Sequence, residues 1–534
     1  MPPLTHHRVA SVRDCAWSVP MGRCAAAMCV LLIALFIVRQ EPGAAQPADP
    51  NHHLLIVLDG LRPDYVTPDI MPNLHALGQN GVVFTNHHSV YPTVTRVNSS
   101  SISTGAYAER HGILGNSVFF PRVNAERFLD TGQRADLEKI QVDQDGVLLT
   151  ATTLGEVLQA QGRTALAVGA GTSGAAFLLN HTVAGGAILH TEFSLPETLH
   201  QRMLADLGPP PAQGRPNNAR NHRAVEAFLK IGLPTVKPSV TMMWLSDPDT
   251  TAHALGMGHP TTVEALRRVD REIKNIQDGL RALGLLDRYN IWVTSDHGFA
   301  THTGAADVRA LLKPFAGTLA DGSPRIVNGD TAVYVRDGNR QVVGQIVRAL
   351  QNTAGIGAIF TRAIKPGSLD GWAEGTLSFD AARWAHARSG DILYSADWTD
   401  QKNAHGFAGT SASNGVAGHG SSSPFELHNT LIAAGPDIKQ AATVSVPSGN
   451  VDFAPTFLHM LGIAVPSTMQ GRPLVEAMRA SSSHAAATVT KAEHSARTKD
   501  GSYIQTAYFS IVRASGTEYR YLDHTRVVRP SAKR

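Results

Sequence analysis

Six acidic and histidine side chains in this sequence are of the types that hold divalent metal ions, and they occur in four short motifs. The motifs are VLDG, DPDTTAH, SDHG and AGHGS, and the first and third end apolar segments. Nitrogen and oxygen ligands of this kind suit Zn²⁺ or a similar divalent ion. The six candidate ligands are Asp59, Asp249, His253, Asp296, His297 and His419.

This set is larger than one tetrahedral ion needs, so it predicts two ions. Two metal ions about 3.5–4 Å apart can hold the attacking and leaving oxygens of an in-line displacement, which is the chemistry of phosphoryl or sulfuryl transfer. That chemistry needs a nucleophile, and the hydroxyl-rich segment YPTVTRVNSSSISTG (91–105) enters a predicted helix. Thr93 and Thr95 face the same way if the segment is extended, so geometry alone leaves both open.

The histidines offer more candidates than a metal site needs, because the chain contains 24 of them. His405, in AHGFAG, is the main rival of His419. We favour His419 because it precedes SSSPFELHNTLIAAGPD, where the chain returns to the predicted core sheet. His87 and His88 are neighbours that point to opposite faces if extended, so they cannot both face one site.

Strand-like segments that end in a polar turn alternate with helical patterns along the chain. Buried apolar strands of this kind predict an α/β fold, with a mostly parallel sheet covered by helices on both faces. Ligands of such sheets lie beyond the carboxyl ends of the strands, so the motif residues are expected to converge there. The predicted strands are 53–60, 241–249 and 290–298, and the predicted helices are 152–162, 223–232 and 263–284.

The second half of the chain predicts an insertion and an extension. Residues 299–420 are richer in glycine and turn residues and predict an inserted α+β region. The segments 431–439 and 452–463 then restore a strand and a helix of the core. The polar segment SSSHAAATVTKAEHSART (481–498) predicts a linker, and the alternation after it predicts a small, hairpin-like β extension.

The N-terminal segment predicts export. A basic stretch precedes the apolar run CAAAMCVLLIALFIV (24–38), which is shorter than the roughly 20 residues of a spanning helix. Residues 1–45 are therefore predicted to be a signal peptide or, if uncleaved, a signal anchor. The protein is then periplasmic or secreted, or it is anchored to the membrane through 24–38. The catalytic domain is expected over 46–480, and the linker with the β extension over 481–534.

Composition excludes several classes of function. The net charge is only +3, so no strong field predicts a nucleic-acid-binding surface, or a membrane contact other than the N-terminal anchor. All three cysteines lie in the export segment, which excludes thiolate metal ligands and disulfides from a cleaved chain.

The order of the motifs resembles that of one known family. IVLDGLRPDY, MPNLHALGQNGVVF, YPTVTRVNSSSISTGAYAERHGILGN, DPDTTAH, SDHG and GHG are similar to the motifs of the type I phosphodiesterase/nucleotide pyrophosphatase family of the alkaline phosphatase superfamily. The resemblance runs from about residue 53 to residue 463. It implies an alkaline-phosphatase-like core, two divalent ions with zinc preferred, and hydrolysis of a small-molecule phosphoester.

The resemblance also implies a role for each site residue. Thr95 matches the threonine nucleophile, which also binds a metal, and Asn98 matches an asparagine that donates to a phosphoryl oxygen. Thr93 lacks the family's spacing to Asn98. Thr95 then attacks phosphorus in line, and water hydrolyses the resulting phospho-threonine. The first metal's ligands match Asp59, Asp296 and His297, and those of the second metal match Asp249, His253 and His419.

One position departs from the family. Arg96 stands where nucleotide-hydrolysing members place an aromatic residue that helps to stack the base. It either binds a phosphate, a carboxylate or a base of the substrate, or it faces solvent.

Two alternatives to a phosphodiesterase stay open. One is a phosphomonoesterase or sulfatase-like hydrolase of the same superfamily, without a cysteine-derived nucleophile. The other is a non-catalytic metal- or ligand-binding envelope protein.

Overall fold

The central sheet of the protein has ten strands. The computed structural model describes residues 51–479 and 487–530, so the predicted export segment lies outside the described residues. In chain order the strands of this sheet are β1 (His52–Leu58), β2 (Val82–His88), β3 (Ala165–Gly169), β4 (Ala187–His190), β5 (Ser194–Leu195), β6 (Val240–Leu245), β7 (Tyr289–Thr294), β8 (His428–Ala434), β9 (Ala442–Val444) and β10 (Ser448–Gly449).

The sheet is mostly parallel, as predicted. Its order is β9-β2-β8-β7-β1-β6-β3-β4-β5, with β10 also beside β2. The strands from β7 to β4 run parallel to one another, whereas β8 is antiparallel to both of its neighbours. The three strands predicted from the motifs are β1, β6 and β7, and they lie side by side with β1 in the middle. Their carboxyl ends therefore meet at one edge.

Helices cover both faces of the sheet, which explains why the strands are uninterrupted apolar runs. Leu55 and Val57 belong to the core on one face, and Leu54 and Ile56 belong to the core on the other. The α-helices of the described residues are α1 (Pro72–Gln79), α2 (Thr95–Thr104), α3 (Ala108–His111), α4 (Arg134–Asp143), α5 (Leu154–Ala160), α6 (Ser173–Leu179), α7 (Glu197–Leu207), α8 (Asn218–Ala227), α9 (Leu233–Val236), α10 (Asp249–Leu255), α11 (Pro260–Ala282), α12 (Val308–Leu312), α13 (Arg340–Gln351), α14 (Pro424–Leu427) and α15 (Phe453–Met460).

The predicted helices are present, with shifted ends. Helix α11 begins earlier than its apolar pattern because Pro260 suits a first turn and the His259 ring accepts a hydrogen bond from Thr261 N. The pattern at 223–232 covers the end of α8 and one wider turn, Phe228–Gly232. Within the described ranges, no helix combines the length and the apolar character that crossing a bilayer requires.

The inserted region is mixed α+β, as predicted. Helix α13 packs on a five-stranded sheet. A four-stranded sheet is formed by one strand that precedes these segments in the chain and three strands that follow them. The first sheet consists of Ile326–Gly329, Ala332–Val335, Ile356–Thr361, Leu377–Ser378 and Ile392–Ala396. The second consists of Ala300–His302, Trp398–Lys402, Ala408–Ser411 and Ala417–Gly418.

The C-terminal extension is a three-stranded antiparallel sheet of Thr488–Arg497, Ile504–Ala514 and Thr517–Val528. The prediction of a linker over 481–498 is therefore wrong from residue 488 onward. That segment is an edge strand with mostly exposed side chains, so its polar composition resembles that of a linker. Its Thr and Val residues are nevertheless typical of a strand.

Candidate active site

Three neighbouring strands bring the predicted acidic ligands to one edge of the sheet. Asp59 follows β1, Asp296 follows β7, and Asp249 begins α10 shortly after β6. The histidines join them from the same segments and from the loop after the short strand Ala417–Gly418. We call the six residues together the site cluster: Asp59, Asp249, His253, Asp296, His297 and His419.

The carboxylates of the site cluster are only partly satisfied by protein donors. Asp59 Oδ2 accepts a hydrogen bond from Trp244 Nε1 at 2.9 Å, and Asp296 Oδ1 accepts one from Gly60 N at 3.1 Å. By contrast, Asp59 Oδ1, Asp249 Oδ1 and Asp296 Oδ2 are buried and accept no hydrogen bond from the described residues. Buried carboxylate oxygens without partners are costly, so these three oxygens fit a cation.

The three histidines are oriented in the same way. The Nδ1 atom of each lies 2.8–3.0 Å from a backbone carbonyl oxygen. A proton donated from Nδ1 leaves the lone pair on Nε2, which is the usual arrangement of a metal-binding histidine. In that neutral form the lone pairs face carboxylate oxygens, and a cation between them relieves the repulsion. Although burial lowers the pKa of both rings, Asp249 raises the pKa of His253 and Asp296 raises that of His297, so the carboxylates favour positive charge at these positions. The Nε2 to oxygen distances are 3.1 Å for His253 to Asp249, 3.3 Å for His419 to Asp249 and 2.9 Å for His297 to Asp296.

Five of the six ligands fall into two overlapping groups that could each hold an ion, and His253 belongs to neither group. In each group the ligand atoms lie within 4.8 Å of one another, and His297 belongs to both. The chemistry of the donors, imidazole nitrogen and carboxylate oxygen, fits a divalent ion. The first group is Asp59, Asp296 and His297, and the second is Asp249, His297 and His419.

The pKa shifts in the site cluster also favour a bound cation. Burial raises the pKa of Asp59 well above its ordinary value, and the charges of Asp296 and Asp249 raise it further. Burial and the nearby His297 lower the pKa of His419 to about 4, which keeps this ring neutral and able to bind a metal.

Thr95 is the hydroxyl that the structure brings to the cluster. It is the first residue of α2, it is buried, and its Oγ1 lies 3.4 Å from His297 Nε2. The rival Thr93 is fully engaged elsewhere, because its hydroxyl donates to Ser421 O at 2.7 Å and accepts from Gly420 N at 3.0 Å. Thr93 thus supports the loop that carries His419.

The structure places His419, and not His405, in the cluster. The His419 ring stacks on that of His297, with centroids 3.4 Å apart. His405 is exposed, and its ring contacts His259 instead.

The hydrogen bonds of Asn98 correct the sequence prediction for this residue. Asn98 is fully buried, and its Nδ2 donates to Val90 O and Val94 O at 3.0 and 3.2 Å. Its Oδ1 accepts from Val90 N and from Asn450 Nδ2. With both N–H groups used, Asn98 has no donor left for a substrate, and it holds the segment before Thr95 in place.

The amide beside the nucleophile is that of Asn116, which the sequence reasoning missed. Its Oδ1 accepts from Arg96 N at 3.1 Å, and its Nδ2 makes no hydrogen bond within the described residues. Asn116 lies in the quoted motif HGILGN but 20 residues from Arg96, so only folding reveals the contact. Trp244 was missed as well, because a buried strand tryptophan has no separate sequence signal.

Arg96 does not face solvent, so that alternative is wrong. Only 13% of its side chain is exposed, and its nearest carboxylate is that of Asp130, with Nη2 3.9 Å from Oδ1.

Comparison with known proteins decides the family. The sequence model of the type I phosphodiesterase / nucleotide pyrophosphatase family matches residues 53–399. The chain belongs to this family. It is 27% identical over 263 residues to human ectonucleotide pyrophosphatase/phosphodiesterase family member 1, covering 48% of this chain and 24% of that protein. It is 26% identical over 284 residues to the mouse bis(5'-adenosyl)-triphosphatase, covering 51% of this chain and 53% of that protein.

The chain thus matches about a quarter to a half of the length of these curated relatives. Among solved structures, it is similar to an inactive variant of murine ectonucleotide pyrophosphatase/phosphodiesterase 5 in complex with AMP. The TM-score is 0.53 at 18% identity, over 78% of this chain and 96% of that one. This similarity shows the same alkaline-phosphatase-like fold.

Proposed function

We propose that this family member is a metal-dependent phosphodiesterase in which Thr95 is the nucleophile. The observation that carries the proposal is that three carboxylate oxygens, which accept no hydrogen bond within the described residues, meet three histidine Nε2 atoms, one of which lies 3.4 Å from Thr95 Oγ1. The intact nucleophile argues against a purely ligand-binding protein, which has no need of Thr95.

The site cluster would hold two divalent ions, with zinc preferred because all donors are imidazole nitrogens or carboxylate oxygens. Asp59, Asp296 and His297 would hold one ion beside Thr95, and the second would lie with Asp249, His253 and His419. When bound, such ions lower the pKa of a hydroxyl and neutralise charge on phosphoryl oxygens.

The residues around Thr95 are placed for in-line attack. Thr95 is the first residue of a ten-residue helix, where the positive end of the helix dipole favours negative charge on the attacking oxygen. Asn116 Nδ2 is available to donate to an oxygen of the phosphoryl group, because Arg96 N fixes the other end of the amide. A neutral amide suits a singly charged diester better than a doubly charged monoester.

The reaction then proceeds in two displacements. The Thr95 hydroxyl loses its proton, and its oxygen bonds to phosphorus as the bond to the leaving alcohol breaks. The departing oxygen takes up a proton, and a phospho-threonine remains. A water molecule then attacks the phosphorus, the bond to Thr95 breaks, and the released oxygen regains a proton. The AMP bound to the murine relative supports a small phosphoester substrate for this chain.

Activity on three esters with the same leaving group tests this proposal. We expect the purified protein, with zinc supplied, to hydrolyse bis(p-nitrophenyl) phosphate faster than p-nitrophenyl phosphate, and p-nitrophenyl sulfate slowest. A preference for the monoester or the sulfate would contradict the assignment. For the proposed export, N-terminal sequencing of material from outside the cytoplasm should show a start near residue 46, whereas an intact N-terminus would indicate an anchor.

A further inference from the structure

The guanidinium of Arg96 lacks the hydrogen-bond acceptors that a buried arginine normally has. Its Nε is buried without a partner, and none of its side-chain nitrogens makes a hydrogen bond to the described residues. An arginine carries five N–H donors, and leaving them unsatisfied in a mostly buried position costs free energy. A position this close to the nucleophile therefore fits an acceptor that arrives with the substrate.

The neighbours of the Arg96 guanidinium are Gly132 and Asp130. The guanidinium rests against Gly132, where a Cβ atom would come within 3.2 Å of Nη2. Asp130 Oδ1, at 3.9 Å, already accepts a hydrogen bond from Gly132 N at 2.8 Å. Asp130 is thus a weak electrostatic neighbour of Arg96, and the guanidinium packs so closely on Gly132 that a side chain at that position would crowd it.

Arg96 stands beside the site cluster and not over it. Among the described residues, no carboxylate of the cluster lies within 4.0 Å of its nitrogens. Arg96 follows Thr95 in α2, and Thr95 Oγ1 lies 3.4 Å from His297 Nε2, so Arg96 adjoins the site. An in-line leaving group departs opposite the Thr95 oxygen, so a group that reaches Arg96, the next residue, belongs to the alcohol that stays on the phosphorus.

We propose that Arg96 binds an anionic group, a carboxylate or a phosphate, on the alcohol that stays attached to the reacting phosphorus. This inference rests on the proposed phosphodiesterase function and names its substrate class. Arginine recognises both anions through paired N–H donors. The site then selects esters with a second negative charge over esters with a neutral base or a cationic group.

Four diesters with a common p-nitrophenyl leaving group test the proposal. Their retained alcohols are carboxymethyl, 2-phosphoethyl, thymidine and choline, so they differ in charge at the position in question. We expect kcat/KM of the wild type to be highest for one of the two anionic esters, and which one identifies the anion. Arg96→Gln should reduce the ratio of that ester to the choline ester at least ten-fold, and Arg96→Lys should restore part of it.

Two further variants sharpen the test. Asp130→Asn removes the competing carboxylate and should raise the same ratio, whereas Arg127→Gln removes an exposed charge from the same loop and should leave it unchanged. An equal loss on all four esters in Arg96→Gln would mean that Arg96 acts on the shared phosphoryl group. A loss greatest on the thymidine ester would mean that it stacks on a base. Either result overturns the proposal.

Failure of the proposed function can be told apart from failure of this inference. If the wild type hydrolyses none of the esters, the phosphodiesterase proposal fails. Calorimetry with zinc present then compares binding of phosphoglycolate and phosphocholine, whose alcohol parts carry opposite charges and also differ in size. Tighter binding of phosphoglycolate that is lost in Arg96→Gln supports the role of Arg96, and equal binding overturns it.

Discussion

Within the described residues, histidine and aspartate side chains form two clusters, and the differences between them are informative. The site cluster lies at the carboxyl edge of the central sheet. The second cluster, which we call the junction cluster, is His88, His428 and Asp523, and it joins the central sheet to the C-terminal sheet. His88 and His428 are directly opposite on β2 and β8, and His88 Nε2 lies 2.8 Å from Asp523 Oδ1.

In the junction cluster, both carboxylate oxygens of Asp523 have protein partners. Asp523 Oδ1 also accepts from Ser510 Oγ at 2.7 Å, and Oδ2 pairs with Lys491 Nζ at 2.9 Å. In the site cluster, three carboxylate oxygens accept no hydrogen bond within the described residues, and their near neighbours are histidine Nε2 atoms. The junction cluster and both groups of the site cluster consist of histidine and aspartate, with ligand atoms within 4.8 Å of one another. What distinguishes the candidate metal site is therefore its unfilled oxygens, and the following predictions test that distinction.

Loss of the nucleophile should have the largest effect. Thr95→Ala removes the attacking oxygen, so turnover of bis(p-nitrophenyl) phosphate should fall on the order of 10³-fold or more. Bound metal, measured by mass spectrometry, should change little, because the carboxylates and histidines remain. Thr95→Ser keeps a hydroxyl and should retain much of the activity. Full activity in the alanine variant would exclude Thr95 as the nucleophile.

Paired histidine substitutions compare the two clusters directly. His419→Gln removes one ligand and should lower both zinc content and activity. The loss of activity should be roughly 10²-fold, because changes to the hydrogen-bond partners of metal ligands alone commonly cost about 10- to 100-fold. His428→Gln makes the same chemical change in the junction cluster and should leave the zinc content unchanged. If His428→Gln also lost zinc, the distinction between filled and unfilled carboxylates would be wrong.

Removing a hydrogen bond to a ligand should have a smaller effect. Trp244→Phe leaves Asp59 Oδ2 without its donor, so the carboxylate is held less firmly. We expect about a 10-fold loss of kcat/KM and weaker zinc binding in a competition titration. Trp292→Phe serves as a control, because this tryptophan is equally buried but its Nε1 has no partner within the described residues.

The junction cluster should matter for stability and not for metal. Asp523→Asn removes the charge that pairs with His88 and Lys491 and should lower the free energy of unfolding by about 3 kcal/mol at neutral pH. Burial alone would raise the pKa of Asp523, but hydrogen bonds from His88, Ser510 and Lys491 hold it below its ordinary value.

The pH dependence of this effect has a definite sign. When folding lowers the pKa of a carboxyl group, the ionised group stabilises the protein at pH values above its pKa in the unfolded state, which is about 4. This contribution is lost as the pH falls further, through the lower pKa of the folded state. The difference in urea midpoint between wild type and Asp523→Asn should therefore shrink below about pH 4. A difference that stays constant over this range would assign the effect to packing and not to charge.

Much of the fold could be predicted because the strands are buried on both faces. Continuous apolar segments such as His52–Leu58 have few alternatives, and a polar residue marks where each one ends. The edge strand Thr488–Arg497 could not be predicted in the same way, since it buries little and its composition is that of a linker.

The site shows a similar division. Asp59 and Asp296 could be placed from sequence, because a strand end in a parallel sheet fixes their position. The partners of those residues could not, as the cases of Asn98 and Asn116 show. Both are asparagines near Thr95 in the fold, and only the hydrogen bonds decide that one is saturated and the other has a free donor.

Thr93 links the metal-binding loop to the nucleophile. Thr93 lies two residues before Thr95 in the chain. Its carbonyl oxygen accepts a hydrogen bond from His419 Nδ1 at 2.8 Å, and its hydroxyl accepts one from Gly420 N and donates one to Ser421 O. The ligand and the nucleophile segment are therefore ordered by one set of bonds. Zinc loading should slow amide hydrogen exchange in residues 93–95 as well as at 419–421, so that occupancy of the site is reported by the backbone that carries the attacking oxygen.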